Sequence, residues 1–168
     1  YVRLSSLEAT DLDWFDGRDD LELTPEHYGS RGIGRYLPVD ERLMTLLGFY
    51  LAEGSCSERN GVRLSIGRSN ERLVPEMTAH FAAVFGASPA LYQARERCSE
   101  LKLVNRVAAL AWQQLFGFED ADSCSKRIPD LVFNVSEALR LAFLRGYLLG
   151  DGTAAAGRLA FATSSYAL

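Results

Sequence analysis

The chain has 168 residues, 48% of them hydrophobic, enough to bury one core, and it has no apolar run near the roughly 20 residues of a membrane span. Its net charge is −4, and its three cysteines, Cys56, Cys98 and Cys124, include no CxxC pair, which argues against a disulfide framework or a cysteine zinc site and for free thiols inside a cell. It opens Tyr1-Val2-Arg3, with no initiator Met and no signal pattern, as a piece cut from a longer polypeptide would.

Residues 1–38 are acidic and poorly periodic, with turn signals at Asp16-Gly17 and Ser30-Arg31-Gly32. They read as a loop-rich lead-in or the tail of a preceding module. Residues 1–45 hold ten acids against five arginines, whereas residues 55–118 hold eight Arg and Lys against five acids. The middle of the chain, and not its start, can therefore face phosphates. Pro38 and Asp40 open an apolar helix over residues 41–53, closed by Gly54 where a C-cap favours glycine. Two strand-like runs flank Asn60-Gly61, a pair that tolerates the positive φ of a type I′ hairpin turn. Ser69 or Asn70 then caps a helix whose apolar residues Leu73, Val74, Met77, Phe81, Val84 and Phe85 recur at helical spacing, and Gly86 ends it. A second hairpin over 90–98 and 101–105 and an amphipathic helix over 107–116 complete a unit. The polar stretch 119–126 leads to a further apolar helix over 135–150.

The chain also repeats itself. Arg63-Leu64-Ser65-Ile66-Gly67-Arg68-Ser69-Asn70-Glu71-Arg72-Leu73 aligns with Arg158-Leu159-Ala160-Phe161-Ala162-Thr163-Ser164-Ser165-Tyr166-Ala167-Leu168. Each copy follows a glycine-containing helix that ends in acid-Gly, Glu53-Gly54 and Asp151-Gly152. The expected organisation is one complete unit over 39–118, a linker over 119–134 and the opening of a second unit over 135–168, with roughly 45 to 50 residues of that unit beyond Leu168.

Gly48 and Ala52, like Gly146 and Gly150, stand four residues apart on one helical face, and small residues at that spacing let two backbones approach closely. Two such helices side by side bring their C-termini together and set Glu53 near Asp151. Each carboxylate then faces the negative end of a helix dipole as well as the other's charge. A divalent cation between them resolves both conflicts, and oxygen ligands suit Mg2+ (or Mn2+). Ordinary core helices closed by solvated acid-Gly caps are the alternative.

The strands carry a further pattern. Val62, Leu64 and Ile66 alternate with Arg63 and Ser65; Gln93, Arg95 and Arg97 alternate with Tyr92, Ala94 and Glu96; and Lys102 alternates with Leu101 and Leu103. A sheet with an apolar face on helices and an Arg/Gln/Ser face outward suits the DNA major groove, where Arg and Gln pair with guanine and adenine edges. Arg59, at the hairpin tip, and Arg68 would add phosphate contacts. A solvated sheet face fits the same alternation. His27 and His80 have no nucleophile or ligand partner nearby in sequence and read as structural or surface residues.

Leu46-Leu47-Gly48-Phe49-Tyr50-Leu51-Ala52-Glu53-Gly54 and Leu144-Arg145-Gly146-Tyr147-Leu148-Leu149-Gly150-Asp151-Gly152 resemble the two signature motifs of the LAGLIDADG homing endonucleases. Ser125-Lys126-Arg127-Ile128-Pro129 resembles the Lys-x-Ile-Pro block before the second motif of intein-encoded members. The resemblance covers roughly residues 38–168. It implies an α+β fold, a duplicated αββαββα unit with the second copy incomplete in this chain. It implies a metal-dependent enzyme that cuts double-stranded DNA, with Glu53 and Asp151 as catalytic metal ligands and Lys126 stabilising charge on the cleaved phosphate. The partner is then double-stranded DNA and not a membrane, and the setting cytoplasmic and nucleoid-associated. The assembly is a pseudo-twofold monomer, or a homodimer if the second unit is incomplete. The chain departs from the family in having Glu as its first acid and Leu51 and Leu149 at the interior acid of the motif. For Lys126 the plain alternative is a solvated interdomain lysine. The splicing apparatus is not expected within the chain, because neither Cys nor Ser starts it, no Thr-x-x-His block is read in it and no His-Asn ends it. Two other functions stay open: a non-cleaving RNA maturase or regulator on the same fold, and an interaction domain that binds no nucleic acid.

Overall fold

The computed structural model describes residues 1–4, 7, 12–13, 22–25, 32–95, 98–118, 125–155, 158–161 and 165. The chain begins with short strands: β1 (Val2–Arg3) pairs with β5 (Tyr36–Leu37), while β2 (Leu12–Asp13), β3 (Glu22–Pro25) and β4 (Ile33–Gly34) form a three-stranded antiparallel sheet. Leu4, Leu23, Ile33 and Leu37 from this lead-in are buried in the same core as the helices that follow.

Asp40 starts the first long helix by accepting hydrogen bonds at Oδ1 from the backbone N–H groups of Arg42 and Leu43. Helix α1 (Glu41–Glu53) then buries Leu43, Met44, Leu46, Leu47, Phe49 and Tyr50 completely. A helix apolar on all sides has to be covered on all sides. Each such side chain contributes about 1.5–3 kcal/mol on burial. A four-stranded antiparallel sheet of β6 (Gly54–Ser57), β7 (Gly61–Gly67), β8 (Ala90–Arg95) and β9 (Cys98–Leu103), ordered β6-β7-β9-β8, turns Val62, Leu64, Ile66, Leu101 and Leu103 into this core. Helix α2 (Val74–Phe85) adds Met77, Phe81, Val84 and Phe85, and α3 (Arg106–Leu110) opens on Asn105, whose Oδ1 accepts from the N–H of Ala108. Trp112 stacks edge-on to Tyr50 at 5.4 Å.

The short α4 (Asp130–Phe133) precedes α5 (Glu137–Asp151), which packs along α1. The two-stranded sheet β10 (Gly152–Ala155) and β11 (Arg158–Phe161) follows α5 as β6 and β7 follow α1. The architecture is mixed α+β with antiparallel sheets. Among the described residues no helix is long and apolar enough to cross a membrane.

Four local expectations change. The first hairpin has no two-residue Asn60-Gly61 turn: Glu58, Arg59 and Asn60 form a three-residue connection, Ser57 pairs with Gly61, and Gly61 takes φ +71°. That is the longer-loop solution, with a left-handed residue entering the second strand. Ser69 and Asn70 cap no helix; a 3-10 turn over Arg68–Leu73 leads into α2 without a side-chain cap. The helix expected over residues 107–116 changes after Leu110 to a π-type turn over Ala111–Leu115. Gly54 ends α1 in extended geometry, φ −97°, so its glycine is required by space, since an added Cβ would strike the Tyr50 ring.

Candidate functional site

The site is set by how closely α1 and α5 approach. A Cβ on Gly48 would strike the carbonyl oxygen of Phe143, and one on Gly146 would strike that of Thr45. Nearer the C-termini, a Cβ on Gly150 would stand 2.5 Å from Ala52 Cβ and 3.1 Å from Glu53 Cγ. The four small positions read from the sequence thus line one helix–helix contact. Both helices pass straight into strands at their terminal acid-Gly, where the N–H of Gly54 donates to Tyr50 O and that of Gly152 to Leu148 O.

Glu53 and Asp151 come together at this end. Burial raises the Glu53 carboxyl above its ordinary value, the charge of Asp151 raises it further, and Lys126 pulls it back. Burial likewise raises Asp151, against the lowering effect of Lys126. The two half-buried acids repel each other, and the charge of Lys126 offsets their raised values only in part.

Lys126 lies beside them, but its ammonium is already committed. It is 6% exposed, which excludes the solvated alternative, and Nζ donates to the carbonyls of Tyr50 (3.1 Å), Leu51 (3.3 Å) and Gly54 (2.6 Å). An ammonium has three protons, and here each has a carbonyl at the negative end of α1. Burial lowers its pKa, and the nearby charges of Asp151 and Glu53 raise it. Its own carbonyl accepts from Ser165 Oγ at 2.6 Å.

Asn70 belongs to the same neighbourhood, although sequence reasoning assigned it only to a helix cap. Its Nδ2 donates to Leu149 O at the end of α5, 3.3 Å away and 79 positions along the chain. The alignment of Asn70 with Ser165 was the available signal.

The proposed reading face is partly assembled. Cross-strand pairing puts Arg63 beside Ser55 and Lys102, and Ser65 beside Glu100, all on one face. Arg63 Nε donates to Ser55 Oγ (2.7 Å) and Nη1 to Glu100 Oε1 (3.2 Å), while Lys102 Nζ pairs with Glu100 Oε2 (2.7 Å). Glu100 is thus an acid at the centre of the basic face, unassigned from sequence. Tyr92 shares this face, with Lys102 Nζ 5.1 Å from its ring centroid. Gln93 pairs with Ser99, which pairs with Ile66, so it lies on the opposite face from Arg63. The register shift between Gln93 and Arg95 is a further irregularity. Arg59 and Arg68 are exposed at the ends of β7. The Arg95 side chain, Arg97, Cys124 and His27 lie outside the described residues. His80 lies beside Glu76, which also pairs with Arg145 at 2.7 Å.

No family model matches the chain. It is similar to a DNA polymerase of Thermococcus hydrothermalis, 26% identical over 150 residues, covering 80% of this chain and 8% of that protein. A DNA polymerase of Thermococcus kodakarensis is 30% identical over 122 residues, 69% of this chain and 7% of the polymerase. An ATP-dependent DNA helicase, Hel308, of the same organism is 29% identical over 128 residues, 75% of this chain and 11% of the helicase. The chain therefore spans only a small fraction of each relative's length.

Among the described residues no three His, Cys, Asp or Glu cluster as a metal cage. Two carboxylates alone do not make a structural zinc site. They do fit Mg2+, which takes one or two carboxylates and completes its octahedron with water and phosphate oxygens.

Proposed function

We propose that this chain is the DNA-cutting domain of an intein, a LAGLIDADG-type homing endonuclease that hydrolyses phosphodiester bonds in double-stranded DNA with Mg2+ or Mn2+. The observation that carries the reading is the meeting of Glu53 and Asp151 at the abutting ends of two repeat-related helices, both raised in pKa by burial and Glu53 also by the charge of Asp151. Glu53 and Asp151 would hold the cation, and the chemistry it supplies when bound is charge neutralisation at phosphate and a more acidic water. Arg63, Ser65 and Lys102 would face the bases, with Arg59 and Arg68 on the backbone.

The relatives support an inserted element. One sequence that matches small parts of a polymerase and of a helicase, at most 11% of either, is what a segment moving between hosts leaves behind. Thr24-Pro25-Glu26-His27 adds support, since it has the Thr-x-x-His spacing of a splicing block. Its presence corrects the expectation that none of that apparatus lies in the chain; Thr24 is in β3, and His27 lies outside the described residues.

The test is cleavage of DNA carrying the uninterrupted host gene by the full-length protein in Mg2+. Cutting that is lost in Glu53→Gln and in Asp151→Asn supports the reading. A second reading, a binder on the same fold that does not cut, draws on the commitment of all three Lys126 protons to carbonyls. Tight binding to one duplex without cleavage would favour it.

A further inference from the structure

The two acid-bearing helices end in pseudo-equivalent surroundings. Leu51 and Leu149 stand at matching places, each two residues before the terminal acid, and each carbonyl accepts a hydrogen bond from a side chain outside its own helix. Leu51 O is served by Lys126 and Leu149 O by Asn70. Leu149 is in the last turn of α5, so its carbonyl has no partner four residues on within the helix.

The donors are themselves tied across the repeat. Asn70 follows β7 of the first unit and reaches α5 of the second. Ser165, its counterpart after β11, is buried and holds the backbone of Lys126, whose ammonium reaches α1 of the first. Each unit's post-strand residue thus secures the other unit's acid-bearing helix end, directly at α5 and through Lys126 at α1.

We propose that Asn70 is a positioning residue for Asp151: its amide latches the last turn of α5 to the first unit and fixes the separation of Asp151 from Glu53. The consequence for catalysis rests on the endonuclease reading; the latch itself does not. The two caps differ in charge, an ammonium at α1 and a neutral amide at α5. Loss of Asn70 therefore removes a geometric restraint without removing a charge from the site.

The experiment compares wild type with Asn70→Ala and with Asn70→Leu, which keeps nearly the same shape, adds no charge and cannot donate. Amide hydrogen exchange is followed at residues 150–152, with residues 48–51 of α1 as internal reference, and kcat and KM are measured for DNA cleavage by the full-length protein. Both variants should speed exchange at the end of α5 about fivefold, the equivalent of one lost hydrogen bond, and leave the α1 reference unchanged. kcat should fall by a similar factor or more, with KM for DNA within about twofold, since the loss lies in the arrangement of the acids and not in duplex binding. Unchanged exchange in either variant overturns the latch. Faster exchange with unchanged kcat overturns the positioning role. Faster exchange in the variants, together with a wild-type protein that never cuts DNA, refutes the endonuclease reading and leaves the latch standing.

Discussion

Gly48 of α1 and Gly146 of α5 face each other's helix backbones, the first against Phe143 and Tyr147, the second against Thr45 and Phe49. Their neighbours are related by the same repeat offset as the glycines, so the contact is reciprocal. Only hydrogen atoms occupy the space between the helices at these points, and that closeness carries through to Glu53 and Asp151.

Replacing either glycine with alanine should therefore destabilise the fold, although alanine is the better helix former by about 1 kcal/mol. The added methyl meets backbone, which cannot rotate aside, and overpacking of this kind costs about 1–3 kcal/mol. Urea unfolding of Gly48→Ala and Gly146→Ala should show lower midpoints than wild type. Gly34→Ala is the control, because nothing lies within 4 Å of its Cβ position. Equal midpoints for all three variants would remove the packing argument.

The acids give the protein a characteristic pH response. Glu53 and Asp151 have folded pKa values above their ordinary 4.5 and 3.8, so the native state keeps protons that the unfolded chain has released. Stability from this pair is then greatest at low pH and is lost as pH rises through the ordinary carboxylate range to the raised folded values. His80, lowered by burial, acts in the opposite sense between its folded value and 6.5, so the pair must be isolated by difference. In chelator, Glu53→Gln should be at least as stable as wild type at pH 7.5 and should lose that advantage towards pH 4. Adding Mg2+ at pH 7.5 should stabilise wild type more than Glu53→Gln. A Glu53→Gln advantage independent of pH would show that the carboxylate charge is not its source.

Lys126→Met should cost about 3 kcal/mol, because it strips a charged donor from three carbonyls at the end of α1 inside the protein. Lys126→Arg should not restore the loss, since a planar fork cannot match three acceptors around a point. Lys102→Met, which breaks a surface pair with Glu100, should cost under about 1 kcal/mol. Denaturant midpoints of the three variants decide; similar losses at 102 and 126 would contradict the cap.

What could be read beforehand follows from where each signal resides. Helix α1 was legible because its Asp40 cap and its unbroken apolar run are local. The glycine contact was legible because small residues at one spacing occur twice. The acceptors of Lys126 and Asn70 were not, since backbone carbonyls at a helix end leave no mark in the sequence and the partners lie more than 70 positions away. Gln93 was assigned to the wrong face because alternation orders residues within a strand, while the pairing with β9 decides which face each joins. Glu100 was passed over because an acid among arginines reads as background until the register sets it between Arg63 and Lys102.

That placement makes Glu100 the informative residue of the sheet. It accepts from both Arg63 and Lys102 and so cancels positive charge on the face proposed to meet DNA, while holding the guanidinium in one orientation. Glu100→Gln should strengthen binding to arbitrary duplex and steepen its salt dependence, since two cations become available to phosphates. Discrimination among sequences should fall at the same time, because an untethered Arg63 no longer presents one fixed geometry to a guanine edge. Arg68→Ala should do the reverse, weakening all duplexes alike and lowering the salt slope by about 0.9, as expected for one phosphate contact. Titrations of matched and mismatched duplexes at several salt concentrations measure both effects. If neither substitution alters the salt slope, this face does not meet DNA, and the nucleic-acid reading loses its interface even with the paired acids in place.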